Sequence, residues 1–171
     1  MEMMEPMPRQ TPAEMVQSTA NEVSRQEMRA QPASPTPSDD LASLARFVEY
    51  VESSGNPKAV SRVGAAGLMG IMPATASQPG FGVNPIRPAE LFDPQKNRAF
   101  GEQYLAAMLK RYNGNPEHAI AAYNWGVGNT DKWIRRGAKL ADLPSDTRNY
   151  IRGWRGEGKH RMPKDWKRYG E

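Results

Sequence analysis

The fold follows from two neighbouring pieces of sequence, ESSGNP at residues 52–57 and SRVGAAGLMGIMPATA at residues 61–76. The first piece ends a helix, because a residue that precedes proline is disfavoured in the helical conformation. The second is rich in glycine and valine, which predicts turns with short extended pieces. Glu52 therefore stands in the last turn of a helix, beside a glycine-rich backbone that a ligand can approach closely.

The helix that ends near Glu52 is predicted to begin at Ser38. Ser38-Asp39-Asp40 supplies a cap and two first-turn acids, which favour a helix N-terminus. Apolar residues then recur at helical spacing and define a core-facing stripe: Leu41, Leu44, Phe47, Val48 and Val51.

Helices also dominate the chain after residue 72. Proline and cap signals predict them from Pro73, over 87–92, from Asp93-Pro94 to Asn113-Gly114, from Asn115-Pro116, and near 130–136 and 145–154. The expected fold is mainly α and irregularly packed, with at most a small β element near residues 59–71.

Composition divides the chain into three parts. Residues 1–40 hold no aromatic residue but six of the fifteen prolines and six of the ten methionines, which predicts a disordered arm. Residues 41–154 form the expected folded domain. Residues 155–171 form a tail with six Lys or Arg against three acids, interleaved with Trp166 and Tyr169. The tail either binds an anionic polymer or packs back on the domain.

Charge and composition also exclude several classes of protein. Residues 1–40 carry seven acids and three bases, whereas residues 41–171 carry twelve acids and twenty bases, so a basic domain follows an acidic arm. No apolar run approaches the roughly 18–20 residues of a membrane span. Cysteine is absent and only two histidines occur, which argues against a metal site built from either residue. No metal or organic cofactor is expected. The first residues do not predict a secretory signal.

Glu52 is the carboxyl with the best position for acid–base chemistry. Packed side chains around the end of a core-facing helix would desolvate it, and the helix C-terminus disfavours a negative charge. Both effects raise the pKa of a carboxyl, and a raised pKa suits a general acid that protonates a leaving oxygen.

Three blocks together resemble the catalytic domain of soluble lytic transglycosylases, members of the goose-type lysozyme-like superfamily that cut peptidoglycan strands. The blocks are residues 52–76, AAYNWG at 121–126, and LP at 143–144 with TRNYI at 147–151. The linking helix fits as well, with FDP at 92–94. The resemblance covers roughly residues 41–154.

The resemblance implies a role for Glu52 as the single acid/base. It would protonate the glycosidic oxygen between N-acetylmuramic acid and N-acetylglucosamine, then deprotonate the muramoyl 6-hydroxyl, which closes a 1,6-anhydro ring. Ordinary glycosidases need two carboxylates. No Asp or Glu occurs between Glu52 and Glu90, which favours transglycosylation independently of the resemblance. Glu49, one helical turn before Glu52, is expected to be a solvated partner of Arg46 or another surface base.

The resemblance also implies substrate-binding residues. Ser61 and Met72 would line sugar subsites, Tyr123 would hold the Glu52 carboxyl, Asn124 would fix the turn beneath it, and Tyr150 would close the cleft wall. One departure stands out, because Gly70 occupies the position where the family usually has a glutamine that contacts substrate. Its loss is expected to weaken the grip on substrate and to widen the cleft.

The expected function is local degradation of the cell wall, during phage entry or lysis. Two alternatives remain: a muramidase or peptide-crosslink hydrolase on the same fold, and a non-catalytic wall-binding module. The expected partners are peptidoglycan strands, with virion or secretion-apparatus proteins bound through residues 1–40, and not nucleic acid. The expected location is the virion or the host cytoplasm, with action on the periplasmic wall.

Overall fold

The structure is a computed structural model that describes residues 37–171. That range contains two short 3-10 helices, Pro88–Phe92 and Leu140–Asp142. It also contains six α-helices: α1 (Pro37–Ser53), α2 (Pro73–Ser77), α3 (Pro94–Arg111), α4 (Pro116–Trp125), α5 (Val127–Arg135) and α6 (Ser145–Trp154). The prediction of a mainly α fold is confirmed. Residues 59–71 contain only isolated bridges, between Val60 and Ala66 and between Ala66 and Ile71.

Local cap signals set most helix starts. The Asp93 side chain accepts hydrogen bonds from two backbone N–H groups at the start of α3, and Asn115 does the same for α4. Two starts differ from expectation. α1 begins at Pro37, so Ser38 lies inside its first turn. α5 begins at Val127, not near 130, because Gly126 at φ 91° turns the chain directly from α4 into α5.

The core forms around α4, which contacts α3, α5 and α6, while α1 packs against α3. Small residues on α4 allow this close approach, since Ala119, Ala121 and Ala122 are buried with Ile120. The predicted stripe on α1 supplies Leu44, Phe47 and Val48 to the same core.

Asn97 fixes the glycine-rich turn to α3. Its fully buried side chain accepts a hydrogen bond from the Met69 N–H (2.8 Å) and donates to the carbonyl oxygens of Ala66 (3.0 Å) and Leu91 (2.8 Å). Gly67 leaves room for it, because a Cβ on Gly67 would lie only 2.7 Å from the Asn97 Cγ. Asn97 therefore ties the turn that faces Glu52 to α3.

The structure tests the prediction for the C-terminal tail but not the one for the N-terminal arm. The predicted arm, residues 1–40, lies outside the described residues except for its last four, which belong to α1. The tail packs back on the domain, as one of its two interpretations required, with the Trp166 and Tyr50 rings 5.5 Å apart. Among the helices of residues 37–171, none is both long enough and apolar enough to cross a bilayer.

Candidate active site

Glu52 is a partly buried carboxyl in the last turn of α1. Its Oε1 accepts a hydrogen bond of 2.8 Å from the Tyr150 hydroxyl. Burial raises the pKa of Glu52 to about 7, although the Tyr150 hydrogen bond lowers it in part. At neutral pH the carboxyl is thus present in both protonation states, as a group that must first give and then take a proton requires.

The Glu52 side chain packs against the backbone of Gly70. Its φ is +58°, and a Cβ built on it would overlap the Glu52 Oε2 and lie 2.8 Å from the Cδ. The Glu52 carboxyl fills the space in which a side chain on residue 70 would begin. The Glu52 carboxyl therefore lies directly against the Gly70 backbone.

The structure exchanges the roles expected for two tyrosines. Tyr150 is buried on α6, and its hydroxyl donates to the Glu52 carboxyl, which is the role expected of Tyr123. The Tyr123 hydroxyl instead donates to the Met69 carbonyl oxygen at 2.7 Å. The reason is that this buried carbonyl needs a donor, and Tyr123 on α4 reaches it. Burial raises the pKa of both phenols well above the ordinary value, so both stay protonated donors.

A cavity of about 230 Å3 opens beside Gly70. Its wall contains Met72 and Tyr123 of the predicted residues, and Met72 is 39% exposed, so it faces the cavity and not the core. Tyr104, which sequence analysis did not assign to the site, adds an aromatic edge 5.8 Å from the Tyr123 ring. The remaining wall residues are small or apolar apart from one threonine: Gly70, Ile71, Thr75, Phe100, Ala122 and Gly126.

Two predicted residues lie away from the cavity wall. Ser61 is exposed, and its hydroxyl oxygen accepts a hydrogen bond of 3.0 Å from the Ala65 N–H, which closes a turn. Asn124 accepts a hydrogen bond of 2.7 Å from the Thr147 hydroxyl, which ties the end of α4 to α6. The contact of Asn124 supports Tyr150 indirectly, because Thr147 lies one turn before Tyr150.

Glu49 corrects a prediction made from the sequence. It was expected to be a solvated partner of Arg46 or another surface base, but it is fully buried and accepts hydrogen bonds from Arg98 (2.9 and 3.0 Å) and Arg168 (2.9 Å). Burial alone would raise the pKa of Glu49, but these two guanidinium groups outweigh it and the pKa lies below its usual range. Glu49 is therefore an ionised structural carboxylate and no second acid for the cleft.

A known protein family matches the part of the chain that contains Glu52 and the cavity. The family model described as "Transglycosylase SLT domain" matches residues 36–144, more than half of the chain. The chain belongs to this family. The matched residues include Glu52, the 66–70 turn, the residues that line the cavity, and Asn124. The match ends before α6.

Two relatives show how similar this SLT domain is to individual proteins of the family. It is 35% identical over 125 residues to the soluble lytic murein transglycosylase of Escherichia coli K12, covering 64% of this chain and 19% of that protein. It is 40% identical over 101 residues to the transglycosylase of Enterobacteria phage PRD1, covering 59% of this chain and 34% of that protein. The chain thus spans about a fifth of the first relative and a third of the second.

A solved structure shares the fold. The 70 kDa soluble lytic transglycosylase SLT70 from Escherichia coli superimposes with a TM-score of 0.56 at 32% identity, over 74% of this chain and 24% of that one. The predicted lysozyme-like SLT fold is therefore confirmed. No group of three or more His, Asp or Glu suited to a metal ion occurs among residues 37–171.

Proposed function

We propose that this chain is a peptidoglycan lytic transglycosylase that cleaves the β-1,4 bond between N-acetylmuramic acid and N-acetylglucosamine. The observation that carries the proposal is the environment of Glu52: one carboxyl with a pKa of about 7, bonded by Tyr150 and resting on Gly70 beside a cavity lined by aromatic residues. Membership of the SLT family and similarity to proteins named murein transglycosylases support it.

Glu52 serves in both steps of the proposed reaction. In the first, the protonated carboxyl gives its proton to the glycosidic oxygen, and the bond from that oxygen to the muramoyl anomeric carbon breaks. In the second, the carboxylate takes the proton of the muramoyl 6-hydroxyl, whose oxygen bonds to the anomeric carbon. The 1,6-anhydro ring forms without water, and Glu52 ends protonated as it began.

The arrangement of carboxylates favours ring closure over hydrolysis. Hydrolysis on two carboxylates needs the second one about 5–9.5 Å from the first. None of the residues that line the cavity is acidic, and the carboxylate one turn before Glu52, that of Glu49, is held by Arg98 and Arg168. A single acid/base therefore accounts for the site.

Product analysis tests the proposal. Purified peptidoglycan is digested with the wild-type chain, with Glu52→Gln as the blank, and the soluble products are analysed by mass spectrometry. We expect muropeptides with 1,6-anhydromuramic ends, which are lighter by one water than reducing muropeptides. Reducing ends would indicate a muramidase, free peptide termini a crosslink hydrolase, and the absence of products from either chain a wall-binding module.

The pH dependence of cleavage is expected to follow Glu52. Because the acid form gives the first proton, the rate should fall about tenfold per pH unit above pH 7. The Tyr150 hydroxyl stabilises the ionised form, so Tyr150→Phe should raise the pKa of Glu52 and move this falling limb upward by up to about one pH unit. Initial rates between pH 5 and 9 measure both effects. Tyr169→Phe is the matched control, and an unmoved or downward limb in Tyr150→Phe contradicts the assignment.

We also propose a phage setting for this chain. One relative, 40% identical to this chain over 101 residues, is the transglycosylase of Enterobacteria phage PRD1. In this proposal the chain is packaged in a virion, residues 1–40 bind virion proteins, and the enzyme acts on the periplasmic wall. Detection of the chain in purified particles, at a constant number of copies per particle, tests this setting. Recovery only from host cytoplasm would indicate a role at lysis instead.

A further inference from the structure

The C-terminal strap, residues 155–171, follows α6 and lies beyond the end of the family match at residue 144. Its first part passes Tyr150, where the His160 and Tyr150 rings are 6.2 Å apart. The contact is close, because a Cβ on Gly153 would lie 2.6 Å from the His160 Cβ. The strap therefore packs against α6 beside the tyrosine that bonds Glu52.

The strap ends in an anchor on α1. Arg168 is largely buried, and its Nε donates to the Glu49 Oε2 at 2.9 Å, while its Nη2 donates to the Glu102 Oε1 at 3.0 Å. The strap backbone joins the same cluster, because the Arg98 Nη2 donates to the Tyr169 carbonyl oxygen at 2.9 Å. Glu49 precedes Glu52 by three residues, so the anchor grips α1 within one turn of the acid.

A second contact lies just past the end of α1. The Trp166 ring packs at 5.5 Å from the Tyr50 ring, and its Cζ2 lies 3.5 Å from the position of a Cβ on Gly55. Arg46 stacks on Trp166 and pairs with Glu171 at 2.8 Å. The strap thus contacts α1 on the turns that precede Glu52 and the chain at Gly55, just after the helix ends.

We infer that the C-terminal strap is a positioning element for the Glu52 carboxyl and that Arg168 is its anchor. This inference rests on the proposed function. Helix termini otherwise fray, since their last turns open at low free-energy cost. A displacement of about 1 Å at a reacting group can cost roughly a hundredfold in rate. Fixing the last turn of α1 from outside therefore acts on turnover and not on the affinity for glycan.

The test compares Arg168→Gln with Lys167→Gln, a matched control because Lys167 is the exposed neighbour of the anchor. Amide hydrogen exchange over residues 50–55 reports on the last turn of α1 whether or not the chain is active. Steady-state kinetics on soluble glycan strands, well below the melting temperature of each variant, separates kcat from KM.

We expect exchange over residues 50–55 to rise at least about fivefold in Arg168→Gln, kcat to fall about tenfold, and KM to stay within about twofold. Lys167→Gln should match the wild type. Arg168→Lys should recover part of kcat, because a lysine keeps the charge but not the two-sided hydrogen bonding. If Arg168→Gln does not fold, Trp166→Ala removes the second contact without touching the buried carboxylate.

Unchanged exchange over residues 50–55 would overturn the inference, even with an active enzyme. Faster exchange with an unchanged kcat would overturn it as well, since the strap would then be a stability element alone. If the wild-type chain releases no glycan product, the proposed function fails, and exchange then decides by itself whether the strap holds the last turn of α1.

Discussion

Replacing Glu52 with glutamine is expected to lower the rate of glycan cleavage by about 10³–10⁴-fold without unfolding the chain. A single general acid or base contributes about 10²–10⁴ to a rate, and here one carboxyl performs both proton transfers. Glutamine keeps the shape, and its carbonyl oxygen still accepts the hydrogen bond from Tyr150. Release of soluble muropeptides measures the loss. Glu157→Gln, which changes an exposed glutamate of the strap, is the matched control.

The same variant has a second expected result, in stability. Because the folded pKa of Glu52 is about 7 and the model-peptide value is 4.5, the folded state binds more protons between these values. Wild-type stability therefore falls as pH rises through this window, whereas Glu52→Gln lacks this loss. The melting temperature of Glu52→Gln relative to wild type should rise from pH 5 to pH 8. A constant difference would mean that the pKa of Glu52 is not raised.

Replacing Asn97 with alanine is expected to destabilise the chain by about 3–5 kcal/mol. The change leaves the Met69 N–H and the carbonyl oxygens of Ala66 and Leu91 buried without their partner, at a cost of about 1–3 kcal/mol for each unsatisfied group. Domains of this size are stable by only about 5–15 kcal/mol in total. The melting temperature should therefore fall by about 10–20 °C.

Thermal unfolding measured by circular dichroism checks the Asn97 prediction. Asn84→Ala is the matched control, since it removes the same side chain from an exposed loop position and should change the melting temperature by no more than about 2 °C. A drop of less than about 1 kcal/mol in Asn97→Ala would mean that water or a shifted backbone satisfies the three groups. The turn would then not depend on this side chain.

Much of the fold was predictable, because its signals are local. Proline after Asp93 and after Asn115 marks the starts of α3 and α4 within the sequence itself, and the structure has both helices there. The raised pKa of Glu52 was also predictable in direction, since it follows from a carboxyl at the end of a core-facing helix. Contacts between side chains that are far apart in the sequence were harder to predict.

Tyr123, Tyr150 and Glu49 show why the partners of some site residues could not be predicted from the sequence. Choosing between the Tyr123 and Tyr150 hydroxyls requires the relative placement of α4 and α6, which no spacing in the sequence gives. Glu49 has the residue type of a surface position, and its burial depends on Arg98, 49 residues later, and Arg168, 119 residues later. Long-range ion pairs of this kind leave no local pattern.

The contact between Gly70 and Glu52 makes these two positions an epistatic pair. The carboxyl occupies the volume that a side chain at 70 would need, so the effect of a substitution at one position depends on the residue at the other. Restoring the family's glutamine at 70 in this chain would require the Glu52 carboxyl to shift, because a Cβ on residue 70 would overlap its Oε2. Directed evolution of the cleft should therefore vary residues 52, 70 and 150 in one combined library and not one site at a time.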